Sequence, residues 1–317
     1  MTQITNCTFG QEFTACLIHT LEGYQNCRTY SMMLLVTLSI LFYPHFLALF
    51  LFYLNFLFYP IYKKLYNLPE DVSRKEWDRP KHLLASAMTM LGKVLHGYEL
   101  CGIENLPKGP GLIIYYHGAL PIDYAFFYYK VYLTTGRFCS SVVDKFLYNL
   151  PSAKLFQRIC GGVCKTKQEC VEMLKKGHLV SIAPGGAREQ NYGDNTYKLI
   201  WKNRKGFAQV AIDAKAPIIP MFTQNIRDGY RSYGNIWPMR WLYERIRFVF
   251  FPTYGFIPVK LRTHIGEPIP YDPSITAEEL VEKTKMAIEA LRDKHQKIPG
   301  SIARALWERF EKHHKDK

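Results

Sequence analysis

Residues 179–222, LVSIAPGGAREQNYGDNTYKLIWKNRKGFAQVAIDAKAPIIPMF, carry two short apolar runs joined by a glycine-rich turn and a longer segment. The runs, 179–183 and 218–222, have the length and continuous apolar character of buried strands. Between them, residues 197–214 predict a helix, because their apolar positions recur at helical spacing. A helix that joins two buried strands indicates an α/β protein, in which helices cover the faces of a sheet.

The same alternation extends toward the N-terminus of this region. Residues 112–116 form a compact apolar run that predicts a strand, and residues 123–133 follow as an aromatic-rich helix. A further strand is expected at 136–143 and a helix at 168–176. Near the end of the chain, Thr276-Ala-Glu-Glu279 is a capping-box sequence, so a helix is expected over 280–295. The fold class is therefore α/β.

Residues 32–61 contain no charged residue. As one helix they would measure about 45 Å, whereas the apolar core of a bilayer is about 30 Å thick. This segment predicts a membrane anchor, either a helix or a hairpin that bends near Pro44 or Asn55. The expected organisation is an N-terminal segment (1–31), the anchor (32–61), a linker with an amphipathic helix over 82–95 (62–97) and a catalytic domain (98–317).

Charge is distributed unevenly along the chain, whose net charge is +14. Residues 1–61 have one basic residue, Arg28, and two acidic residues, so the remaining residues carry +15. By the positive-inside rule this asymmetry places the C-terminal domain in the cytosol. A basic domain on a membrane would bind anionic lipid headgroups or a phosphorylated substrate such as a CoA thioester. Nucleic acid is not an expected partner, because the chain has none of the sequence signatures of a nucleic-acid-binding module.

A histidine and an aspartate follow the strand over 112–116, in the segment His117-Gly-Ala-Leu-Pro-Ile-Asp123. Loops at strand ends are where α/β proteins place reactive groups. A neutral imidazole can take a proton from a hydroxyl as its oxygen attacks a carbonyl carbon. A carboxylate at the other ring nitrogen would stabilise the imidazolium that forms, and Asp123 is the nearest candidate. On spacing alone, a histidine and an aspartate in a turn are more often helix caps and surface hydrogen bonds than a catalytic pair.

The next strand runs into a second motif, Ala183-Pro-Gly-Gly-Ala-Arg-Glu189. Gly185 and Gly186 permit tight turns and leave backbone N–H groups that could bind a phosphate or an oxyanion. Arg188 has the forked guanidinium that suits phosphate, and Glu189 could orient that fork or bind an acceptor hydroxyl. Arg204 and Lys205, just before Gly206-Phe207, add cations at an expected helix start. A plain β-turn with surface charges is the alternative.

Several common catalytic motifs are absent from the sequence. We find no G-x-S-x-G, no P-loop, no G-x-G-x-x-G and no H-E-x-x-H. None of the cysteines lies at metal-ligand spacing. We therefore expect no metal and no cofactor, and catalysis by direct attack of the acceptor oxygen on an acyl group.

Taken in order, the motifs resemble those of the glycerolipid acyltransferase superfamily. The diacylglycerol acyltransferase type-2-like branch is more similar, through RKGF at 204–207 and GEPI at 266–269. HGALPID, SIAPGGARE and PYDPSITAEEL resemble the transmembrane protein 68 family along nearly the whole chain after the anchor. The resemblance implies a mixed sheet flanked by helices. The chain has five residues between its histidine and aspartate, where the superfamily pattern has four.

The resemblance implies an enzyme of the endoplasmic reticulum membrane whose catalytic domain faces the cytosol. It would esterify diacylglycerol, monoacylglycerol or ether analogues to triacylglycerol, with acyl-CoA or a membrane phospholipid as acyl donor. His117 matches the catalytic histidine and Asp123 its aspartate. The substrate-binding block corresponds to Gly185, Gly186 and Glu189. Lys165 stands where the family has an arginine, which weakens a phosphate site there.

Two other functions remain open at this point. One is an acyltransferase acting on a phosphorylated acceptor, either a lysophospholipid or a glycerophosphate, which would need cations beyond Arg188. The other is a non-catalytic lipid-binding membrane protein, for which His117, Asp123 and Glu189 would be dispensable. The expected partners are membrane lipids, and a membrane-protein regulator is left open.

Overall fold

The computed structural model describes residues 9–72, 74–142, 153–159, 163–164, 166–246 and 253–311. Within these ranges the helices are α1 (Phe9–Tyr66), α2 (Asp78–His96), α3 (Ile122–Thr135), α4 (Ala153–Ile159), α5 (Lys167–Lys175), α6 (Gly186–Tyr192), α7 (Gly206–Ala214), α8 (Ile226–Gly229), α9 (Trp237–Ile246), α10 (Ala277–His295) and α11 (Ile302–Trp307). The strands are β1 (Glu99–Cys101), β2 (Gly111–Tyr115), β3 (Cys139–Val142), β4 (Val163–Cys164), β5 (Leu179–Ile182), β6 (Ile218–Gln224), β7 (Arg231–Ser232), β8 (Thr253–Tyr254) and β9 (Arg262–Ile265). The predicted α/β class is confirmed.

Seven strands form one mixed sheet in the order β1-β9-β6-β2-β5-β3-β4. Neighbouring strands are parallel except β6 and β9, which pair antiparallel. Strand β2 lies at the centre, between β5 and β6, and Ile113 pairs with Ser181 on one side and Ile219 on the other. Every residue of β2 and β6 is buried, which is why these strands appear in the sequence as continuous apolar runs.

Helices flank this sheet in two packed groups. Helix α2 packs against α3, while α7 packs against α5 and α10, and α10 also contacts β6. The capping box of α10 forms as expected. The Thr276 hydroxyl oxygen accepts from the backbone N–H of Glu279, and the Glu279 carboxylate accepts from the backbone N–H of Thr276. The amphipathic helix predicted over 82–95 is α2, whose buried residues include Leu84 and Ala85.

The helix predicted over 197–214 is wrong in its first half. Only 206–214 is helical, as α7. Tyr197 and Lys202 adopt positive φ angles of 54° and 50°, which an α-helix cannot include. The N–H of Ile200 donates to the Glu189 carboxylate instead of to a helical carbonyl. This stretch is therefore a loop, in which the backbone N–H of Ile200 is bound by the side chain of Glu189.

Helix α1 continues unbroken through Pro44 and Asn55, so the hairpin alternative is wrong. It covers the predicted anchor together with most of the segment before it, and it contacts α2, α4 and β8. Phe56 and Tyr59 near its C-terminal end are buried, and Tyr59 packs edge-on against Trp77. In the described part of the chain, no helix combines the length and hydropathy required to cross a bilayer. Membrane anchoring by residues 32–61 stays a prediction.

Candidate active site

The C-terminal ends of β2, β5 and β6 lie side by side, because these three strands are parallel neighbours. His117 follows β2, the glycine-rich turn follows β5, and Arg227 follows β6. Side chains at this edge of a parallel sheet can meet although they are far apart in sequence. The two predicted motifs are therefore brought together, and a third segment joins them.

The ring of His117 has a defined tautomer. Its Nδ1–H donates to the carbonyl oxygen of Gly118 at 2.8 Å, so in the neutral ring Nε2 carries the free lone pair. Among the described residues, Nε2 has no hydrogen-bond partner, and the residue is only partly buried. Desolvation lowers the pKa of His117 to about 4, and the positive charge of Arg227 acts in the same direction. At neutral pH the ring is therefore an uncharged proton acceptor.

Glu189 connects the two motifs through the backbone. Its Oε2 accepts from the N–H of His117 and its Oε1 from the N–H of Ile200, both at 2.9 Å. The side chain is fully buried, and this burial raises its pKa to about 7 against the opposing effect of the two N–H donors. Because both carboxylate oxygens are occupied, Glu189 positions the histidine segment. Its carboxylate does not pair with Arg188, which binds Glu244, and binding of an acceptor hydroxyl by Glu189 stays a prediction.

Arg227 is the main site residue that the sequence analysis missed. It is almost fully buried, and its guanidinium donates to Tyr116 Oη at 2.8 Å and to the carbonyl of Gln190 at 2.9 Å. It also donates to the carbonyl of His117 at 2.8 Å and to that of Glu189. The backbone of His117 is thus bound on both sides, its N–H by a carboxylate and its carbonyl by a guanidinium. This arrangement fixes where the imidazole is presented.

Asp123 does not bind the imidazole, contrary to the sequence expectation. The Nδ1 position is taken by Gly118, and Asp123 lies in the first turn of α3, where it accepts from the Thr223 hydroxyl and from N–H groups of its own turn. Such a position suits a carboxylate, because a helix N-terminus favours negative charge. Its Oδ2 is buried and has no hydrogen-bond partner in the described structure. Burial raises the pKa of Asp123 to about 6.

Asp123→Asn is expected to raise stability at alkaline pH. A carboxyl whose folded pKa lies above its ordinary value of 3.8 stabilises the fold below about pH 4 and loses that contribution as pH rises through about 6. Removing the charge should therefore add up to about 3 kcal/mol above pH 7, at 1.4 kcal/mol per pKa unit, and nothing below pH 4. Thermal unfolding midpoints of both proteins in detergent from pH 4 to 8 measure this. If the unfolding midpoints of the two proteins changed with pH in the same way, the expected effect of Asp123→Asn would be contradicted.

The two glycines after β5 are required by close contacts. A Cβ on Gly185 would lie 2.3 Å from the side chain of Glu189, and Gly186 has a φ angle of 47°. The N–H of Gly186 donates to the carbonyl of Ala183. That N–H is therefore engaged within the turn, and binding of a phosphate or an oxyanion by this turn stays a prediction. Gly185 lets Glu189 approach the turn, and Gly186 supplies the positive φ angle.

Gly185→Ala is expected to destabilise the protein by about 1–3 kcal/mol, because the new methyl group overpacks the buried Glu189 side chain. Gly185 has ordinary helical dihedral angles, so backbone strain does not contribute. Gly109→Ala is the matched control, since its Cβ would meet nothing within 4 Å. Unfolding midpoints of the two variants should differ clearly. Equal midpoints would show that the turn tolerates a side chain.

The predicted cations are mostly engaged with other groups. Arg188 forms an ion pair with Glu244 at 2.8 Å, Lys205 pairs with Glu278, and Arg204 donates to the carbonyl of Pro184. Lys165 lies outside the described residues. In the ranges given above, no group of three or more His, Cys, Asp or Glu residues is arranged to bind a metal ion. The centre consists of a histidine, buried carboxylates and a buried arginine.

Comparisons with known proteins show the family to which this chain belongs. The family model named Acyltransferase matches residues 98–224, which include both motifs. A human protein named "DGAT1/2-independent enzyme synthesizing storage lipids" is 48% identical over 317 residues, covering 96% of this chain and 98% of its own length. The bovine protein of the same name is 50% identical over 305 residues, covering 93% and 91%.

Two more distant relatives extend the comparison. "Diacylglycerol O-acyltransferase 2B" of Umbelopsis ramanniana is 28% identical over 142 residues, covering 38% of this chain and 41% of its own. The crystal structure of PlsC, the 1-acyl-sn-glycerophosphate (LPA) acyltransferase from Thermotoga maritima, superposes with a TM-score of 0.50 at 19% identity. That match covers 83% of this chain and 93% of PlsC, and it shows a shared fold.

The family model and these relatives define an acyltransferase, and the protein is an enzyme of that class. More narrowly, the chain belongs to the acyltransferase family of the storage-lipid enzymes, the transmembrane protein 68 family.

Proposed function

We propose that this acyltransferase esterifies diacylglycerol, and also monoacylglycerol or ether analogues, to form triacylglycerol, with His117 as general base. The observation that carries the proposal is the tautomer of His117. Its Nδ1–H is bound by Gly118, which leaves the Nε2 lone pair for a substrate hydroxyl. The curated relatives are named as enzymes that synthesise storage lipids, which agrees with a neutral glycerolipid product.

The reaction proceeds by direct attack. The acceptor hydroxyl oxygen forms a bond to the acyl carbonyl carbon while His117 Nε2 takes the hydroxyl proton. When the tetrahedral intermediate collapses, the bond to the leaving group breaks and the imidazolium returns the proton to it. The leaving group is the thiol of CoA or the hydroxyl of a lysophospholipid. Asp123 is the proposed carboxylate partner of the imidazolium, and direct contact would require the ring to leave Gly118.

The engaged cations favour a neutral acceptor over a phosphorylated one. A glycerophosphate or lysophospholipid acceptor would need cationic side chains that can bind its phosphate. Arg188, the guanidinium nearest the glycine turn in sequence, is paired with Glu244. Arg227 uses its guanidinium on Tyr116 and backbone carbonyls and is almost fully buried. These contacts support diacylglycerol, which presents a hydroxyl and two acyl chains.

The site of action proposed is the endoplasmic reticulum membrane, with the catalytic domain in the cytosol. The uncharged run over 32–61 and the +15 charge of the residues that follow support this orientation. Diacylglycerol resides in the bilayer, so an enzyme fixed to the membrane meets its acceptor there. Both acyl donors considered are available at the cytosolic face.

An acceptor panel tests the proposal. Membranes containing the protein receive a labelled acyl donor, either acyl-CoA or phosphatidylcholine, with diacylglycerol, monoacylglycerol or lysophosphatidate as acceptor. We expect label in triacylglycerol with diacylglycerol, and label in products of lysophosphatidate at background. Preferential acylation of lysophosphatidate would establish the phosphorylated-acceptor alternative. No labelled product with any acceptor would favour a lipid-binding role.

A further inference from the structure

Helix α9 (Trp237–Ile246) presents two large aromatic side chains that no described residue covers. Trp237 is 79% exposed and Trp241 is 58% exposed. They are four residues apart and therefore lie on the same side of the helix. Ile236 and Ile246, at the two ends, are also exposed. Two large exposed aromatic side chains on one side of a helix indicate a binding surface, because water is a poor solvent for them.

The opposite side of α9 packs on the segment that carries the glycine motif. Tyr243 lies edge-on against Tyr192 of α6 with ring centroids 5.6 Å apart, and Met239 packs in the same cluster. Ile200 also belongs to this cluster, and its N–H is the one bound by Glu189. Helix α9 therefore packs on the loop that contains Ile200. The N–H of Ile200 is bound by Glu189, the residue that positions the histidine segment.

The same helix is connected to α1. Strand β7, just before α9 in the chain, pairs with β8, and β8 lies against α1. Tyr43, within the uncharged run of α1, contacts Phe256, two residues after β8, at a centroid distance of 6.4 Å. The small β7–β8 sheet therefore joins α9 to the part of the chain expected to enter the membrane.

We propose that α9 lies on the bilayer surface, with Trp237 and Trp241 inserted at the boundary between headgroups and acyl chains. The inference rests on the proposed membrane-attached acyltransferase and names the lipid-facing wall of its site. Tryptophan is enriched at this depth because its ring is apolar while its N–H can bond to headgroups. Arg245 is exposed on the same helix and suits anionic headgroups, whereas the guanidinium of Arg240 lies over the Tyr192 ring. A membrane-resident acceptor would then enter beside α6.

Tryptophan fluorescence tests the contact directly. The full-length protein is reconstituted in phosphatidylcholine vesicles whose acyl chains are either brominated, and so quenching, or unbrominated. Trp77 and Trp201 are buried, so Trp307→Phe leaves Trp237 and Trp241 as the exposed tryptophans. Subtracting the emission of a triple variant, Trp237→Phe/Trp241→Phe/Trp307→Phe, isolates the signal of α9. We expect brominated lipid to quench that signal severalfold.

Equal emission of Trp237 and Trp241 in brominated and unbrominated lipid would overturn the proposal. The same result is expected if a second copy of the chain or another protein covers the helix. This readout does not require catalysis, so it separates failure of the surface from failure of the proposed function. In the acyl-transfer assay, Trp237→Ala/Trp241→Ala should raise the KM for vesicle diacylglycerol severalfold. Met286→Ala, which removes a 67% exposed side chain from α10, is the matched control and should leave KM unchanged.

Discussion

His117→Ala is expected to lower the rate of triacylglycerol formation by about 10²–10⁴-fold, the usual contribution of a general base. At neutral pH the imidazole is uncharged, and its Nε2 lone pair is available at this edge of the sheet. Without it, the attacking hydroxyl would have to lose its proton to water. Initial rates in membranes, with labelled donor and diacylglycerol, measure the effect.

The fold of the His117→Ala variant should be intact, because the contacts that position this residue belong to its backbone. Its N–H binds Glu189 and its carbonyl binds Arg227, and both remain in the variant. Only the bond from the ring to Gly118 is lost. His178→Ala, at an exposed histidine, is the control and should retain full rate. A His117→Ala protein of normal rate and normal abundance would refute the role of the imidazole.

Arg227→Met is expected to lower the free energy of unfolding by about 3–5 kcal/mol. Its guanidinium donates to Tyr116 Oη and to three backbone carbonyls in the interior. Each buried acceptor left without a donor costs about 1–3 kcal/mol, and methionine replaces only the packing of the side chain. Loss of the bond to the His117 carbonyl should also reduce acyl transfer. Unfolding midpoints and initial rates of the same preparations measure both effects.

Arg231→Met is the matched control. Arg231 is partly exposed, and its bonds to Asp228 and to the carbonyl of Arg227 are long, at 3.3 Å each. Asp228 is fully buried but keeps a bond from the Tyr197 hydroxyl, so losing the two long bonds of Arg231 is expected to cost about 1.5–3 kcal/mol, less than Arg227→Met. If the Arg227→Met protein does not accumulate, Arg227→Lys is measured in its place. Lysine keeps the positive charge but lacks the planar guanidinium that binds Tyr116 and the three carbonyls. Arg227→Lys should therefore lower the rate more than Arg231→Met does. Equal stability of the Arg227→Met and Arg231→Met proteins would contradict the structural role of Arg227.

Features set by local pattern could be predicted from the sequence. Strands β2, β5 and β6 are buried on both faces and so appear as apolar runs, and the capping box marks the start of α10. His117 was predicted because it follows one of those runs directly. The close approach at Gly185 and Gly186 was expected from the residue type, since a Cβ would obstruct the turn.

Features set by long-range contacts could not be predicted. Arg227 lies 110 residues from His117 in the chain, and only the pairing of β2 with β6 brings them together. From sequence, Glu189 is a candidate partner of the substrate or of Arg188. Its bond with the backbone N–H of His117 could not be predicted, because sequence does not reveal backbone partners that are distant in the chain. The same carboxylate also binds the backbone N–H of Ile200. Residues 197–205 therefore form a loop, although their composition favours a helix.

The central claim is that the imidazole of His117 removes the proton from a diacylglycerol hydroxyl during acyl transfer. The most direct measurement uses the purified chain in vesicles of defined lipid, with diacylglycerol as the only acceptor and one labelled acyl donor at a time. We expect labelled triacylglycerol from the wild-type chain and a background level from an equal amount of His117→Ala protein. Labelled triacylglycerol at the same rate from both proteins would contradict it.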